Sequence, residues 1–349
     1  MLRLMAFLGT VFLSAVFGTW LSIRLAKAKE YLDHPNAIKI HVIPVPRLGG
    51  IGIFCGLLSG FTFLFWEASA PDRSILIVSL TALLTVLIAG VVDDVYTLSP
   101  RWKLAGLAIG ALILAVWFAP PLIAPGVLGG ALSFLTIIGM ANAMNLIDGI
   151  DGLAGSIALI AFIFFAVLFQ VSEAGLAAGL AAAGTAATTG FLLFNRHPAR
   201  TFMGDSGSLL LGTLLGFLLI RAAHLSWTHI WSGLLICIVP IWDTAAAIVR
   251  RLRGHGSIFE GDRCHSYDLL YERTQSYALT ISGMIGTAIL CGLAGLAVLF
   301  GSSIIFQVIV TFLLLGLLLI ASLWLGVFVP EKLQSDKHSR AQEAKLRQS

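Results

Sequence analysis

The chain has 349 residues, of which 58% are hydrophobic and only 11% charged, with a mean hydropathy of +0.94. A soluble globular protein carries about 25% charged residues, so this composition excludes a soluble enzyme. No polar stretch is long enough to form a separate soluble domain, and the net charge of +4 gains meaning only when mapped onto loops. The four cysteines, Cys55, Cys237, Cys264 and Cys291, have neither CxxC nor metal-ligand spacing, so no disulfide framework is expected.

Eleven apolar spans follow in chain order, at 3–25, 48–66, 74–92, 103–119, 128–146, 155–171, 174–194, 207–223, 229–249, 277–299 and 303–328. Each approaches the roughly 17–25 residues a bilayer-crossing helix needs, and none shows the alternation of a membrane barrel strand. The expected fold is an all-α polytopic membrane protein, with one multispanning domain over 1–330 and a polar tail over 331–349. Arg24, Lys27 and Lys29 follow the first span without a small-residue cleavage site, so that span reads as a retained helix. The Ala/Gly-rich stretch 174–190 suits close helix packing.

Of the 22 lysines and arginines, all but Arg3, Arg73 and Arg221 fall in one set of loops or the tail. By the positive-inside rule that face is cytoplasmic. Eleven spans then put the N-terminus outside and the C-terminus in the cytoplasm. Asp93, Asp94, Asp148, Asp151, Asp205, Asp243, Asp262 and Asp268 lie on or within about a turn of the same face. Acidic residues do not follow the positive-inside rule, so their clustering is independent information, and ionisable groups at membrane depth point to function.

The first cytoplasmic loop carries Lys39, His41 and Arg47 and then opens a helix at Gly49 and Gly50, an arrangement suited to phosphate. It also reads as an ordinary basic loop. Asp93 and Asp94 end the third span, and adjacent carboxylates repel unless they share a cation or proton. One could bind metal while the other takes a proton; the alternative is a solvated cap paired with Arg101 and Lys103, but a cap does not need a pair. Asn142 to Gly155, NAMNLIDGIDGLAG, adds Asn145, Asp148 and Asp151 between glycines. Oxygen donors of this kind suit Mg²⁺, which takes one or two carboxylates with substrate phosphates and water.

Asp205 stands just before the eighth span in FMGDSGS, where it also suits a helix cap. Asn195 and Phe202, slightly earlier, suit hydrogen bonding to and stacking on a base. The longest loop interleaves Arg250, Arg251, Arg253, His255, Arg263, His265 and Arg273 with Asp262 and Asp268. Histidine with arginine suits a diphosphate, and a basic loop against anionic lipid is the alternative. Asp243, inside the ninth span, reads equally as a buried partner for an arginine.

These groups suggest phosphoryl transfer between a soluble phosphate-rich donor and a lipid acceptor, with positioning and charge neutralisation providing most of the catalysis. The competing class is a transporter of a phosphorylated solute. A transporter would place polar residues at mid-membrane on broken helices, and here the mid-span positions are nearly all apolar.

Five strings, in order, resemble the polyprenyl-phosphate N-acetylhexosamine-1-phosphate transferase family: HPNAIKIHVIPVPRLGG, VVDD, NAMNLIDGIDGL, FMGDSGS and GDRCHSYDLL. The resemblance covers about Asp33 to Asp268. It implies transfer of a sugar-1-phosphate, GlcNAc-1-phosphate above all, from a UDP-N-acetylhexosamine to undecaprenyl phosphate, giving a lipid diphosphate-sugar and UMP. It implies a Mg²⁺ cofactor, with Mn²⁺ as a substitute, bound principally by Asp205 with Asn145. Asp93 or Asp94 would deprotonate or position the lipid phosphate. Asp151 and His265 would join them in catalysis, and Asn145 and Asp148 would hold the nucleotide surroundings. Asn195 and Phe202 would face the uracil. Lys39, His41, Arg47, Arg263 and His265 would hold diphosphate or sugar.

The single histidine of His265-Ser266-Tyr267-Asp268 resembles the branch using small UDP-N-acetylhexosamines. The phospho-MurNAc-pentapeptide transferase of peptidoglycan synthesis is the alternative within the family. Ile38 departs from the arginine common in the first loop. The implied setting is a bacterial inner membrane, with the active site facing the cytoplasm, in a pathway that builds a cell-surface polysaccharide. No nucleic acid partner is expected, and the long apolar faces permit a homodimer.

Overall fold

The computed structural model describes residues 1–33, 43–119, 126–254 and 264–330, and these residues are almost entirely helical. In chain order the helices are α1 (Leu2–Ala28), α2 (Gly49–Glu67), α3 (Ala70–Tyr96), α4 (Pro100–Trp117), α5 (Gly126–Ile147), α6 (Leu153–Val171) and α7 (Gly175–Asn195). They continue with α8 (Gly204–Ala223), α9 (Trp227–Ile236), α10 (Ile238–Arg253), α11 (Ser266–Thr274), α12 (Tyr277–Phe300) and α13 (Ile304–Leu325). Among the described residues ten helices are long and apolar enough to cross a bilayer, and α9 and α10, which are so only when taken together, form a bent pair, a broken span or a re-entrant loop.

That bend departs from the straight span expected over 229–249. The two helices meet at 72°. The cause lies in Pro240, four residues after Ile236, the last residue of α9. Proline has no N–H to donate to the carbonyl four residues back, and its ring clashes with it. Beyond the bend, α10 buries Asp243 and Arg250 on one side.

The core is built around α8, 94% of whose apolar window is buried. It packs on α5, α3, α2 and α9. Phe162, Phe165 and Phe169 of α6 and Phe217 of α8 are among the large buried side chains. In contrast α13 keeps an apolar surface, with Phe312, Leu313, Ile320 and Leu323 exposed. Such a surface is expected of a helix facing lipid.

The only strands among the described residues form a small clip. Strand β1 (Leu32–Asp33) pairs antiparallel with β2 (Val45–Pro46), with Leu32 opposite Pro46 and Asp33 opposite Val45. The clip closes the first loop. Lys39 and His41 of that loop, Asp262 and Arg263 of the later one, and the tail 331–349 lie outside the described residues. Among the described residues no disulfide joins the four cysteines.

Candidate active site

A cavity of about 580 Å³ opens where the ends of α3, α5, α7 and α8 meet the clip and the start of α12. Asp93, Asp94, Asn145, Asp148, Asp151, Asn195, Phe202, Asp205 and Arg47 all line it. Nine of the residues singled out in the sequence therefore converge on one space.

Its acidic centre is assembled from three helix ends. Asp93 and Asp94 lie in the last turn of α3, Asn145 in the last turn of α5, and Asp205 in the first turn of α8. Asn145 Nδ2 donates to Asp205 Oδ1 at 2.8 Å and to Ser208 Oγ at 2.9 Å. Lys103 of α4 joins them: its Nζ pairs with Asp205 Oδ2, donates to Asn145 Oδ1 at 3.1 Å and lies 3.8 Å from Asp93 Oδ2. The cap reading of the sequence had one correct element, since Lys103 does face Asp93. It also does more, because its ammonium sits among two carboxylates and an amide oxygen.

The two adjacent aspartates differ in use. Asp94 accepts from the backbone N–H groups of Asp205 at 2.8 Å and Ser206 at 3.0 Å, one on each carboxylate oxygen. It thereby caps α8, whose own preceding residue, Met203, supplies no side-chain cap. Asp93 accepts from the Leu98 N–H at 2.7 Å through Oδ1 and turns Oδ2 toward Lys103. Gly204 permits this arrangement: its φ is +68°, and a Cβ there would lie 2.4 Å from the Arg47 carbonyl and 2.5 Å from the Asp94 carboxylate.

Asp148 lies in the turn after α5. Burial, and then the charges of Asp205, Asp94 and Asp151, push its pKa up to about 8. The next residue, Gly149, leaves room for Tyr267, whose hydroxyl would otherwise be 1.9 Å from a Cβ.

The first loop and the α7–α8 connection are joined by main-chain bonds. Phe202 N–H donates to the Pro46 carbonyl at 2.7 Å, and the Thr201 hydroxyl to the same oxygen at 3.0 Å. In return Gly49 N–H donates to the Phe202 carbonyl and Gly50 N–H to that of Met203, both at 3.1 Å. Arg47, beside this seam, is paired with Asp33 at 2.5 Å.

Two expected roles meet a different geometry. Asn195 is 3% exposed, and its amide is committed to the backbone: Oδ1 accepts from Gly152 N–H at 3.0 Å and Nδ2 donates to the Thr201 carbonyl at 2.9 Å. His265 does not line the cavity. It is buried, with Nδ1 2.5 Å from Asp243 Oδ2, while Asp243 Oδ1 accepts from the Ser266 N–H at 2.8 Å. The partner of Asp243 here is thus a histidine rather than the arginine considered from sequence.

Sequence reasoning passed over two cavity residues, His197 and Tyr277. His197 Nδ1 lies 2.8 Å from Asp151 Oδ2, and its ring stacks on Tyr277 at 4.1 Å between centroids. His197 follows α7 by two residues and precedes Arg200 by three, a setting that residue type alone does not separate from an ordinary polar loop.

Among the described residues no three His, Cys, Asp or Glu side chains gather as a metal cluster. The donors that do converge are two carboxylates, Asp93 and Asp205, and the Asn145 amide oxygen, all now facing Lys103 Nζ. This is a hard, oxygen-only set short of six ligands, which fits a Mg²⁺ completed by substrate phosphate and water.

Fold and site together define a polytopic helical membrane protein with an acidic centre at one end of its membrane-spanning helices. A model of glycosyl transferase family 4 matches residues 75–223, which span α3 to α8 and hold that centre. A decaprenyl-phosphate N-acetylglucosaminephosphotransferase of Mycobacterium tuberculosis (strain CDC 1551 / Oshkosh) is 30% identical over 317 residues, 79% of this chain and 78% of its own. A probable undecaprenyl-phosphate N-acetylglucosaminyl 1-phosphate transferase of Bacillus subtilis (strain 168) is 29% identical over 270 residues, 74% of each chain. An undecaprenyl-phosphate alpha-N-acetylglucosaminyl 1-phosphate transferase of Thermotoga maritima is 28% identical over 279 residues, 78% of this chain and 83% of its own. The chain belongs to glycosyl transferase family 4.

Proposed function

We propose that this protein transfers GlcNAc-1-phosphate from UDP-GlcNAc to undecaprenyl phosphate at the cytoplasmic face of a bacterial inner membrane. One observation carries the reading: Asp93, Asp205 and Asn145 line one cavity at the ends of membrane helices, with Lys103 paired to all three. The names of the three relatives point the same way. In the reaction an oxygen of the lipid phosphate attacks the sugar-bearing phosphorus. The bond from that phosphorus to the bridging oxygen breaks, and UMP leaves.

Each residue has a task that its position suits. Asp93, with Oδ2 turned toward the centre, accepts the proton of the lipid phosphate where one remains and orients its oxygens. Asp94 holds the start of α8, and so fixes Asp205. Asp205, Asp93 and the Asn145 oxygen would hold Mg²⁺, which when bound supplies charge neutralisation to the diphosphate. Lys103 adds a fixed positive charge at the same place. Phe202 and Arg47 form the wall beside the donor.

The test is a donor panel. Protein in nanodiscs with undecaprenyl phosphate is given UDP-GlcNAc, UDP-GalNAc or UDP-muramoyl-pentapeptide, with Mg²⁺ or EDTA. Mg²⁺-dependent UMP release from UDP-GlcNAc is expected. Release from the pentapeptide donor alone would assign the peptidoglycan step instead. Solute uptake into vesicles with no UMP from any donor would replace the enzyme with a transporter.

A further inference from the structure

We infer that His197 is a donor-binding residue that contacts the nucleoside end of the UDP-sugar, held for that task by Asp151 and Tyr277. The inference rests on the transferase reading above and assigns a residue that the motifs did not.

His197 is half-exposed, at 48% for its side chain, and lines the same cavity as Asp93 and Asp205. It is nevertheless fixed on two sides. Asp151 Oδ2 binds its Nδ1 at 2.8 Å and also accepts from the Ala199 N–H at 3.0 Å, so the carboxylate orients ring and loop together. Tyr277 supports the ring face with an interplanar angle of 26°, and its own hydroxyl donates to the Asp151 carbonyl. An exposed imidazole rarely receives this much support without a task for its remaining nitrogen. With Nδ1 engaged, Nε2 is the polar atom the ring offers to a ligand.

Two further observations point to a nucleoside. Asn195, the residue expected to bond the base, has its amide committed to Gly152 and Thr201. The same cavity is lined by flat or apolar side chains, Phe202, Pro198, Ile150 and Tyr277, and of these Tyr277 stacks on His197. Flat surfaces of this kind stack on bases. The Asp151 carboxylate beside His197 opposes an anionic group, whereas Lys103 stands with Asp93 and Asp205. The diphosphate therefore belongs at the acidic centre, and the base and ribose at His197.

The test compares wild type with His197→Ala and Tyr277→Leu in nanodiscs. It reads the KM for UDP-GlcNAc, the KM for undecaprenyl phosphate, and the inhibition constant of UMP. His197→Ala is expected to raise both the UDP-GlcNAc KM and the UMP constant about tenfold, roughly the loss of one hydrogen bond. The lipid KM should stay within about twofold. Tyr277→Leu should move the two nucleotide constants in the same direction. An unchanged UMP constant in His197→Ala overturns the inference, including the case in which only the UDP-GlcNAc KM rises, which would place the sugar there. If His197→Ala does not fold, an unchanged UMP constant in Tyr277→Leu overturns it. Failure of wild type to release UMP from any donor removes the transferase reading. Calorimetric binding of UMP to wild type and His197→Ala then decides the role of His197 separately, and equal affinities, or no binding to either, count against it.

Discussion

Asp94 caps the helix that carries Asp205. Its two carboxylate oxygens hold the first N–H groups of α8 from a different helix, so the end of α3 and the start of α8 are one unit. The neighbouring Asp93 points elsewhere, toward Lys103. Two consecutive aspartates thus divide into one that holds the start of α8 and one that faces Lys103.

The division predicts opposite signatures. Asp93→Asn should lower turnover about 10²- to 10⁴-fold, the range of a lost acid–base group, with an apparent Tm close to wild type. Asp94→Ala should destabilise by about 1–2 kcal/mol through the lost cap and lose activity as Asp205 shifts. Thermal unfolding in detergent, paired with the UMP assay, measures both. The reverse pattern of Tm changes would contradict the assignment.

Lys103→Met should unbalance the acidic centre. Asp93, Asp205 and the Asn145 oxygen would face one another without their cation. In EDTA the variant should unfold at a lower temperature than wild type. Added Mg²⁺ should then raise its Tm by more than it raises that of wild type, because ligand binding stabilises the folded state by mass action. Equal Mg²⁺ responses would place the metal elsewhere.

Asp148 links stability to pH. Its folded pKa, about 8, lies above the roughly 3.9 of an unfolded aspartate. The folded state therefore holds the proton more tightly, and this contribution is full below about pH 4 and is lost as pH rises toward 8. Asp148→Asn, uncharged throughout, should match wild type near pH 4 in EDTA and become progressively more stable than it up to about pH 8. A Tm series across that interval checks the trend; an offset that does not vary with pH would refute it.

Asp243→Ala removes the shared acceptor of His265 and the Ser266 N–H in a site where both side chains are nearly fully buried. Leaving a buried donor without its acceptor costs about 1–3 kcal/mol. The start of α11 should loosen, which hydrogen exchange at Ser266 and Tyr267 would detect. Asp243→Asn retains an acceptor and should lose less. Wild-type protection in Asp243→Ala would show that other contacts carry the segment.

The membrane spans were legible because each is a long apolar run, and nothing else in this chain competes with that signal. The exception is 229–249, where hydropathy is continuous across Pro240 and so gives no warning of a bend; prolines are tolerated in membrane helices. Asp93, Asn145 and Asp205 stood out because polar groups at a membrane edge are costly. Lys103 did not, since a lysine on a basic face is what the positive-inside rule already expects. The commitment of Asn195 to backbone partners depends on how the 196–203 turn folds, and residue type alone does not carry that information. His197 was missed for the same reason, its partner Asp151 being 46 residues away in the chain.

The seam between residues 46–50 and 201–203 makes a single plate of two distant stretches. Main-chain and hydroxyl bonds hold it at four points. Any motion that widens the cavity beside Arg47 must carry Phe202 and the start of α8 with it. The segment at His197 is held differently, by the ring contact with Tyr277 and by Asp151, whose carboxylate binds both His197 Nδ1 and the Ala199 N–H. Because α8 begins in this plate, Asp205 keeps its register with Arg47 and Phe202 whenever the cavity breathes.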